Sequence, residues 1–114
     1  LSEPLILAPG ARAAIPTGLA LEIPPGYEGQ IRPRSGLALN YGLGILNSPG
    51  TIDADYRGEI KVILINLSSE AITIHPLMRI AQLVICPVIE VCFEESEQLN
   101  DSMRADGGFG HTGY

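Results

Sequence analysis

The sequence predicts an all-β fold, a sandwich or a barrel, on three observations. Turn signals recur at short intervals, as APGA, PTG, PPGY, PRSG, NSPG, YRGE and HPLM. Between them lie short runs rich in Ile, Leu and Val: LALEI (19–23), IKVILIN (60–66), AITI (71–74) and IAQLVICPVIEVCF (80–93). Helix signals are weak. Closely spaced turns around short β-branched runs build strands, because no run is long enough to lay a continuous stripe along a helix.

Taken in order, the elements read as follows. The opening LSEPLILAPG has no basic start and no small-residue cleavage site, so it does not read as a signal peptide. In LALEI the apolar residues alternate as Leu19, Leu21 and Ile23, which marks a strand with one buried face. After the next strand, RPRSGLAL (32–39) opens a short helix. IKVILIN is apolar on nearly both faces and reads as a central strand. Cys86 and Cys92 lie in the last apolar run without CxxC spacing or nearby His, and read as reduced core residues. Beyond it, EESEQLNDSMR (94–104) is the one other stretch with a short-helix reading. No internal repeat or linker precedes it.

At 114 residues there is room for a single domain. An apolar share of 46% against 18% charged residues is globular and rather hydrophobic for so small a chain, which suggests apolar surface shared with another subunit. The formal net charge of −6 disfavours a nucleic-acid partner, which needs a basic face. Anionic substrates are then met by a few placed arginines. No apolar run approaches the roughly 20 residues of a membrane span, and a cytoplasmic setting is expected.

Three polar constellations interrupt the apolar background. In the first, Arg34, Ser35 and Gly36 follow a strand; arginine, hydroxyl and glycine at a helix start make a phosphate cradle, or an ordinary turn with an N-cap serine. The second is LNSPGTIDADYRGEIKV (46–62). It is either a hairpin with solvated charges or a loop in which Asp53 sits beside an apolar pocket and deprotonates a water, with Tyr56 as a flat wall and the Asn47 amide facing a base edge. The third is the tail RADGGFGHTGY (104–114), which carries Arg104, Phe109, His111 and Thr112 among four glycines. It is a disordered terminus or an arm that folds over a nucleotide.

PRSGLAL, GTIDADYRGE, RIAQLVI and RADGGFGHTG resemble, in order and spacing, the second to fifth motifs of the trimeric dUTP diphosphatase (dUTPase) family. The resemblance covers nearly the whole chain. It implies a jelly-roll-like β-barrel over 1–103, a Gly-rich arm over 104–114 that closes over the active site, a homotrimer with shared sites, Mg²⁺, and hydrolysis of dUTP to dUMP and pyrophosphate. Carried over residue by residue, it implies that Asp53 activates the attacking water and that Tyr56 lies beneath the deoxyribose, leaving no space for a 2′-hydroxyl. Asn47 and the backbone around Ile60 and Lys61 correspond to the uracil-reading groups, with Gly50, Thr51 and Ile52 alongside the sugar. Arg34, Ser35 and Gly36 correspond to the phosphate loop and Gln82 to a further polar contact near it, whereas Arg79 is given a structural role. Arg104, Phe109, Gly110 and Thr112 correspond to the mobile arm, whose ring stacks on uracil. Protein ligands to the metal are not implied; Mg²⁺ is expected to be held mainly by the triphosphate and waters.

Two departures from the family pattern stand out. The family's first motif, an AGxDL-like stretch that would precede residue 1, is absent, so the chain is expected to be an N-terminal truncation or fragment, or to lack its first strand. Ala105 stands where the family usually has glycine, which is expected to stiffen the hinge slightly. Two other functions compete. A dCTP deaminase-like enzyme shares the resemblance in fold, but Ile63 occupies the place of its catalytic glutamate. A non-catalytic nucleotide-binding module is the second.

Overall fold

The computed structural model of the chain describes residues 1–110, 112 and 113. Among these residues, eight strands and one helix follow in the order β1 (Leu5–Leu7), β2 (Arg12–Pro16), β3 (Tyr27–Arg32), α1 (Ser35–Tyr41), β4 (Leu43–Ile45), β5 (Gly50–Ile52), β6 (Lys61–Asn66), β7 (Ile72–Ile74) and β8 (Gln82–Pro87). All pairings are antiparallel, in three small sheets ordered β1–β7, β2–β6–β4 and β5–β3–β8. The all-β expectation holds, with the jelly-roll-like arrangement that the resemblance implied.

The strand period explains where the core sits. In β6, Val62 and Leu64 are buried while Lys61 is exposed, and β2 and β4 flank it with Ile15 opposite Val62 and Ile45 opposite Leu64. IKVILIN is therefore the central strand of its sheet. In β3, Gly29 and Ile31 face inward; a Cβ on Gly29 would lie 3.2 Å from both Ile23 Cδ1 and Leu83 Cδ1, so a hydrogen there lets this sheet close on the core. Leu7, Ile15, Ile23, Ile31, Leu43, Ile45, Ile52, Ile60, Val62, Leu64 and Ile74 form one apolar cluster.

Asn66 breaks the apolar alternation at the end of β6 and is fully buried. Its Nδ2 donates to the Leu7 carbonyl at 2.9 Å and the Glu70 carbonyl at 2.8 Å, and its Oδ1 accepts from the Ser68 amide at 2.9 Å and the Ser68 hydroxyl at 2.7 Å. An amide has two donors and two acceptor sites, and all four are used. The side chain thus fastens β1 to the turn between β6 and β7.

Helix α1 forms where PRSG predicted it. Arg34 is the extended N-cap and Gly42, at φ 65°, is the left-handed C-cap whose N–H returns to the helix carbonyls. Three other readings are corrected. LALEI is not a strand: only Ile23 is buried, and Leu19 reaches no further than a bond from the Ile60 amide at 2.8 Å. Gly18 at φ 72° precedes it and Pro24 and Pro25 follow, so a ladder has no room to extend. Residues 94–104 form no helix; Ser96 Oγ binds the Gln98 backbone on both sides, and an acidic segment with no surface to pack on gains too little to pay for nucleation. Cys86 and Cys92 are free, as read, but Cys86 is only half-buried, opposite Glu28 on the outer face of β8, and Cys92 is exposed, because strand structure ends at Pro87 and the alternation beyond it no longer faces the core.

After Val88, whose amide still donates to the Gly26 carbonyl at 2.9 Å, the chain leaves the barrel. The radius of gyration is 19.1 Å, against roughly 13 to 14 Å for a compact chain of this length. Among the described residues, no helix is long and apolar enough to cross a membrane.

Candidate functional site

The phosphate-loop residues come together because β3, α1 and β8 meet at one corner. Pro33 ends the β3 ladder, and the chain turns at Arg34 into α1. Arg34 Nη1 donates to the Arg79 carbonyl at 3.1 Å, and Gln82 Nε2 donates to the Pro33 carbonyl at 2.9 Å, so the start of β8 and the segment before it are both laced to the loop. Arg79 takes part in this bond through its backbone carbonyl. Arg34, Ser35, Gly36 and Gln82 then line one open cleft of about 380 Å³, with Asn40 and Tyr41 closing its far side. Ser35 is the first helical residue rather than the N-cap, and the N-cap side chain makes no capping bond, so the first-turn amides are left for a ligand.

A second group sits on the β4–β5 turn. A Cβ at Gly50 would lie 3.3 Å from Asn47 Nδ2 and 3.3 Å from Ile31 Cβ, so glycine lets the Asn47 amide lie across the start of β5. Thr51 is exposed on the outer face of β5, whereas Ile52 and Ile60 are core side chains that offer a ligand only their backbone. Ile60 is further committed. Its N–H donates to the Leu19 carbonyl, and its carbonyl accepts from the Thr17 amide at 3.2 Å and the Thr17 hydroxyl at 2.6 Å. The side chain of neighbouring Lys61 is exposed, and Asn47 on the adjacent turn carries an amide with both donor and acceptor groups.

The third group is the loop between β5 and β6. The Tyr56 amide donates to the Asp53 carbonyl at 3.1 Å, which closes a turn directly behind the Asp53 side chain. Arg57 Nη1 donates to the Ala54 carbonyl at 2.6 Å, and Arg57 Nη2 lies 3.6 Å from Glu22 Oε1. Tyr56 Oη donates to the Glu59 carbonyl at 2.8 Å, which folds the ring back over the loop. Asp53 and Tyr56 are both exposed, so within one chain no apolar pocket encloses the carboxylate. The clasp made by Arg57 escapes sequence reasoning, since an arginine in a charged turn reads as a solvated side chain until its carbonyl partners are known.

The tail stands apart. Arg104 Nε donates to the Gly107 carbonyl and the Gly107 amide returns to the Arg104 carbonyl at 3.0 Å, giving a small self-closed loop. Arg104 and Thr112 share a shallow cleft with Met103, Asp106 and Gly107 and with no residue of the barrel. Phe109 is fully exposed and covers nothing in its own chain. Gly110 takes φ 98°, which only glycine adopts readily. His111 lies outside the described residues. The structure thus gathers Arg34, Ser35, Gly36 and Gln82 in one cleft, holds Asn47, Asp53 and Tyr56 on neighbouring loops, and leaves the arm residues separate.

Among the described residues, no three His, Cys, Asp or Glu side chains are grouped so as to hold a metal ion. A divalent cation would find no closed protein cage here.

A family model described as dUTPase matches residues 1–113. The deoxyuridine 5'-triphosphate nucleotidohydrolase of Chlamydia pneumoniae is 59% identical over 114 residues, covering 99% of this chain and 79% of that protein. Among solved structures, a variant dUTPase of Staphylococcus bacteriophage 80alpha with dUpNHpp superposes with a TM-score of 0.86 at 29% identity, over 98% of this chain and 82% of that one. A variant dUTPase of Staphylococcus aureus phage phi11, whose structure concerns the coordination of a structural Mg(II) ion, matches with a TM-score of 0.78 at 26% identity, over 87% of this chain and 80% of that one.

Proposed function

We infer from its place in the dUTPase family, to which this chain belongs, that it is a hydrolase cleaving dUTP to dUMP and pyrophosphate. The observation that carries the reading is the cleft of Arg34, Ser35, Gly36 and Gln82 in a chain matched by the dUTPase family model over residues 1–113.

The chain's own residues divide the work. The Arg34 guanidinium, the Ser35 hydroxyl and the free amides at the start of α1 take the triphosphate, and Gln82 adds a polar contact at its edge. The Asn47 amide and the Lys61 backbone read uracil, while Gly50 and Thr51 flank the sugar, with Ile52 and Ile60 shaping the floor from the core. Tyr56 forms the wall beside the deoxyribose. Asp53 takes the proton of a water that attacks the α-phosphorus as the bond to the departing pyrophosphate breaks. Mg²⁺, held mainly by the triphosphate and waters, would supply charge neutralisation at the leaving pyrophosphate. The arm of residues 104–114 closes the site, with Arg104 and Thr112 toward the phosphates and Phe109 and Gly110 over the base. Its separation from the barrel cleft of its own chain favours a homotrimer in which each arm serves a neighbour's site. Two free cysteines suit a reducing cytoplasm.

The test measures dUMP, pyrophosphate and ammonia from dUTP and dCTP, together with binding of a non-hydrolysable dUTP analogue. Pyrophosphate from dUTP is expected, with Asp53→Ala lowering turnover by about 10² to 10⁴-fold while analogue affinity stays within threefold. Ammonia release would replace the reading with deamination, and binding without turnover would leave a nucleotide-binding module. Near-normal turnover by Asp53→Ala would remove that residue from the base role.

A further inference from the structure

The geometry assigns Gly58 as a positioning residue for substrate selection: its missing side chain is what allows the Tyr56 ring to lie where it does. An ideal Cβ built at residue 58 would fall 2.6 Å from Tyr56 Cζ and 2.9 Å from Tyr56 Cε1, and closest of all to Tyr56 Oη. Those separations are well inside van der Waals contact. The backbone does not demand glycine at this point, for Gly58 is not among the glycines that adopt a positive φ. The three atoms nearest that Cβ all belong to the Tyr56 side chain. Since the exposed tyrosine ring is held at its tip by one hydrogen bond, whereas the loop is held by Arg57 and by the Asp53–Tyr56 turn, a methyl group at 58 displaces the ring rather than the loop. The Tyr56 Oη bond to the Glu59 carbonyl, 2.8 Å long and only three residues away, goes with it.

This assignment rests on the reading of Tyr56 as the wall beside the deoxyribose. A displaced ring opens room on that side of the sugar, where a ribonucleotide carries its extra hydroxyl. Gly58 touches no nucleotide in this scheme; it acts through Tyr56.

The experiment compares the wild-type chain, Gly58→Ala, Tyr56→Ala and the double variant, measuring kcat/KM for dUTP and for UTP and the melting temperature of each. Gly58→Ala is expected to lower the dUTP-over-UTP ratio at least tenfold. A loss of folded protein alone would reduce both activities together and leave the ratio unmoved. Tyr56→Ala is expected to lower the same ratio. Gly58→Ala is also expected to lower the melting temperature in the presence of Tyr56, but to leave it unchanged or slightly raised in the Tyr56→Ala background, where the ring that blocks the methyl is gone. A Gly58→Ala ratio within twofold of wild type, with Tyr56→Ala still impaired, would overturn the assignment and leave the Tyr56 reading standing. An equal melting loss in both backgrounds would also overturn it, since Gly58 would then act on something other than the ring. If Tyr56→Ala itself kept the wild-type ratio, the reading of Tyr56 would fall and the assignment with it. Should Gly58→Ala fail to fold, the double variant decides: recovery of folded protein on removing the ring supports the assignment, and continued failure overturns it.

Discussion

Along β6, alternate residues send Val62 and Leu64 into the core, whereas beyond Pro87 the same alternation of Ile89, Val91 and Phe93 leaves each side chain 74% to 95% exposed. Charge divides the chain in the same place. Residues 88–114 carry six carboxylates (Glu90, Glu94, Glu95, Glu97, Asp101 and Asp106) against one arginine, so most of the net charge of −6 belongs to them. Residues 1–87 are close to neutral and make the whole apolar core. A period-two apolar row with no sheet beneath it, on a segment too acidic to collapse on itself, is built to be covered by something outside its own chain. On the proposed trimer, the barrel specifies a fold and the tail an assembly.

That contrast is broken most directly in the tail. Replacing Ile89, Val91 and Phe93 together with serine is expected to shift native mass spectra from trimer to monomer and to abolish turnover, while the far-ultraviolet spectrum of the barrel is kept. A triple variant that stays trimeric would place the contacts between copies on the barrel and dissolve the division of labour.

A cut before Arg104 is expected to cost orders of magnitude in turnover, without changing assembly, since the row at 89–93 remains. If arms serve neighbouring sites, co-refolding equal amounts of the cut chain and Asp53→Ala restores activity. A site then needs an intact Asp53 donor and an intact arm donor, each met with a chance of about one half, so about a quarter of wild-type activity returns. Recovery near zero in mixed trimers would mean that each arm closes on its own barrel.

The barrel is broken at Asn66. Asn66→Leu removes all four bonds at once and leaves the Leu7 and Glu70 carbonyls without the amide. A loss of about 2 to 5 kcal/mol is expected by urea unfolding at fixed protein concentration. A loss under about 1 kcal/mol would mean that water replaces the amide and that the site is not sealed.

How much of this was legible in the sequence follows from the range of each interaction. The alternation in IKVILIN is local, so the central strand could be read from seven letters. The start of α1 is local too, because Pro33 and Gly42 bracket it. LALEI carries the same alternation, but whether it pairs depends on neighbours that Gly18 and the prolines at 24 and 25 keep away. Asn66 looked like the polar end of a strand; its role depends on Leu7, 59 residues earlier. Of the site, residue types and order could be read, and the cleft of Arg34, Ser35, Gly36 and Gln82 required β8 to return beside β3. The saturation of the Ile60 backbone by Thr17 and Leu19 had no sequence signal at all, because backbone groups look alike in every residue.

The smallest effect is expected at Ala105, inside the arm. Its φ is 50°, in the left-handed region, and its amide donates to Ser102 Oγ at 3.1 Å within the loop that folds Arg104 onto Gly107. A Cβ in that conformation costs about 1 to 2 kcal/mol. Glycine removes the cost but loses about 0.5 to 1 kcal/mol of chain entropy when the arm orders. The two nearly offset, so Ala105→Gly is expected to change KM for dUTP less than about fivefold, a net of at most about 1 kcal/mol. Since the arm cleft includes no barrel residue, the melting temperature should stay within a degree or so of wild type. A clear fall in melting temperature would show that the turn at 105 supports the barrel, and the separation between a region that holds the fold and a region that serves the site would then have to be redrawn upstream of Arg104.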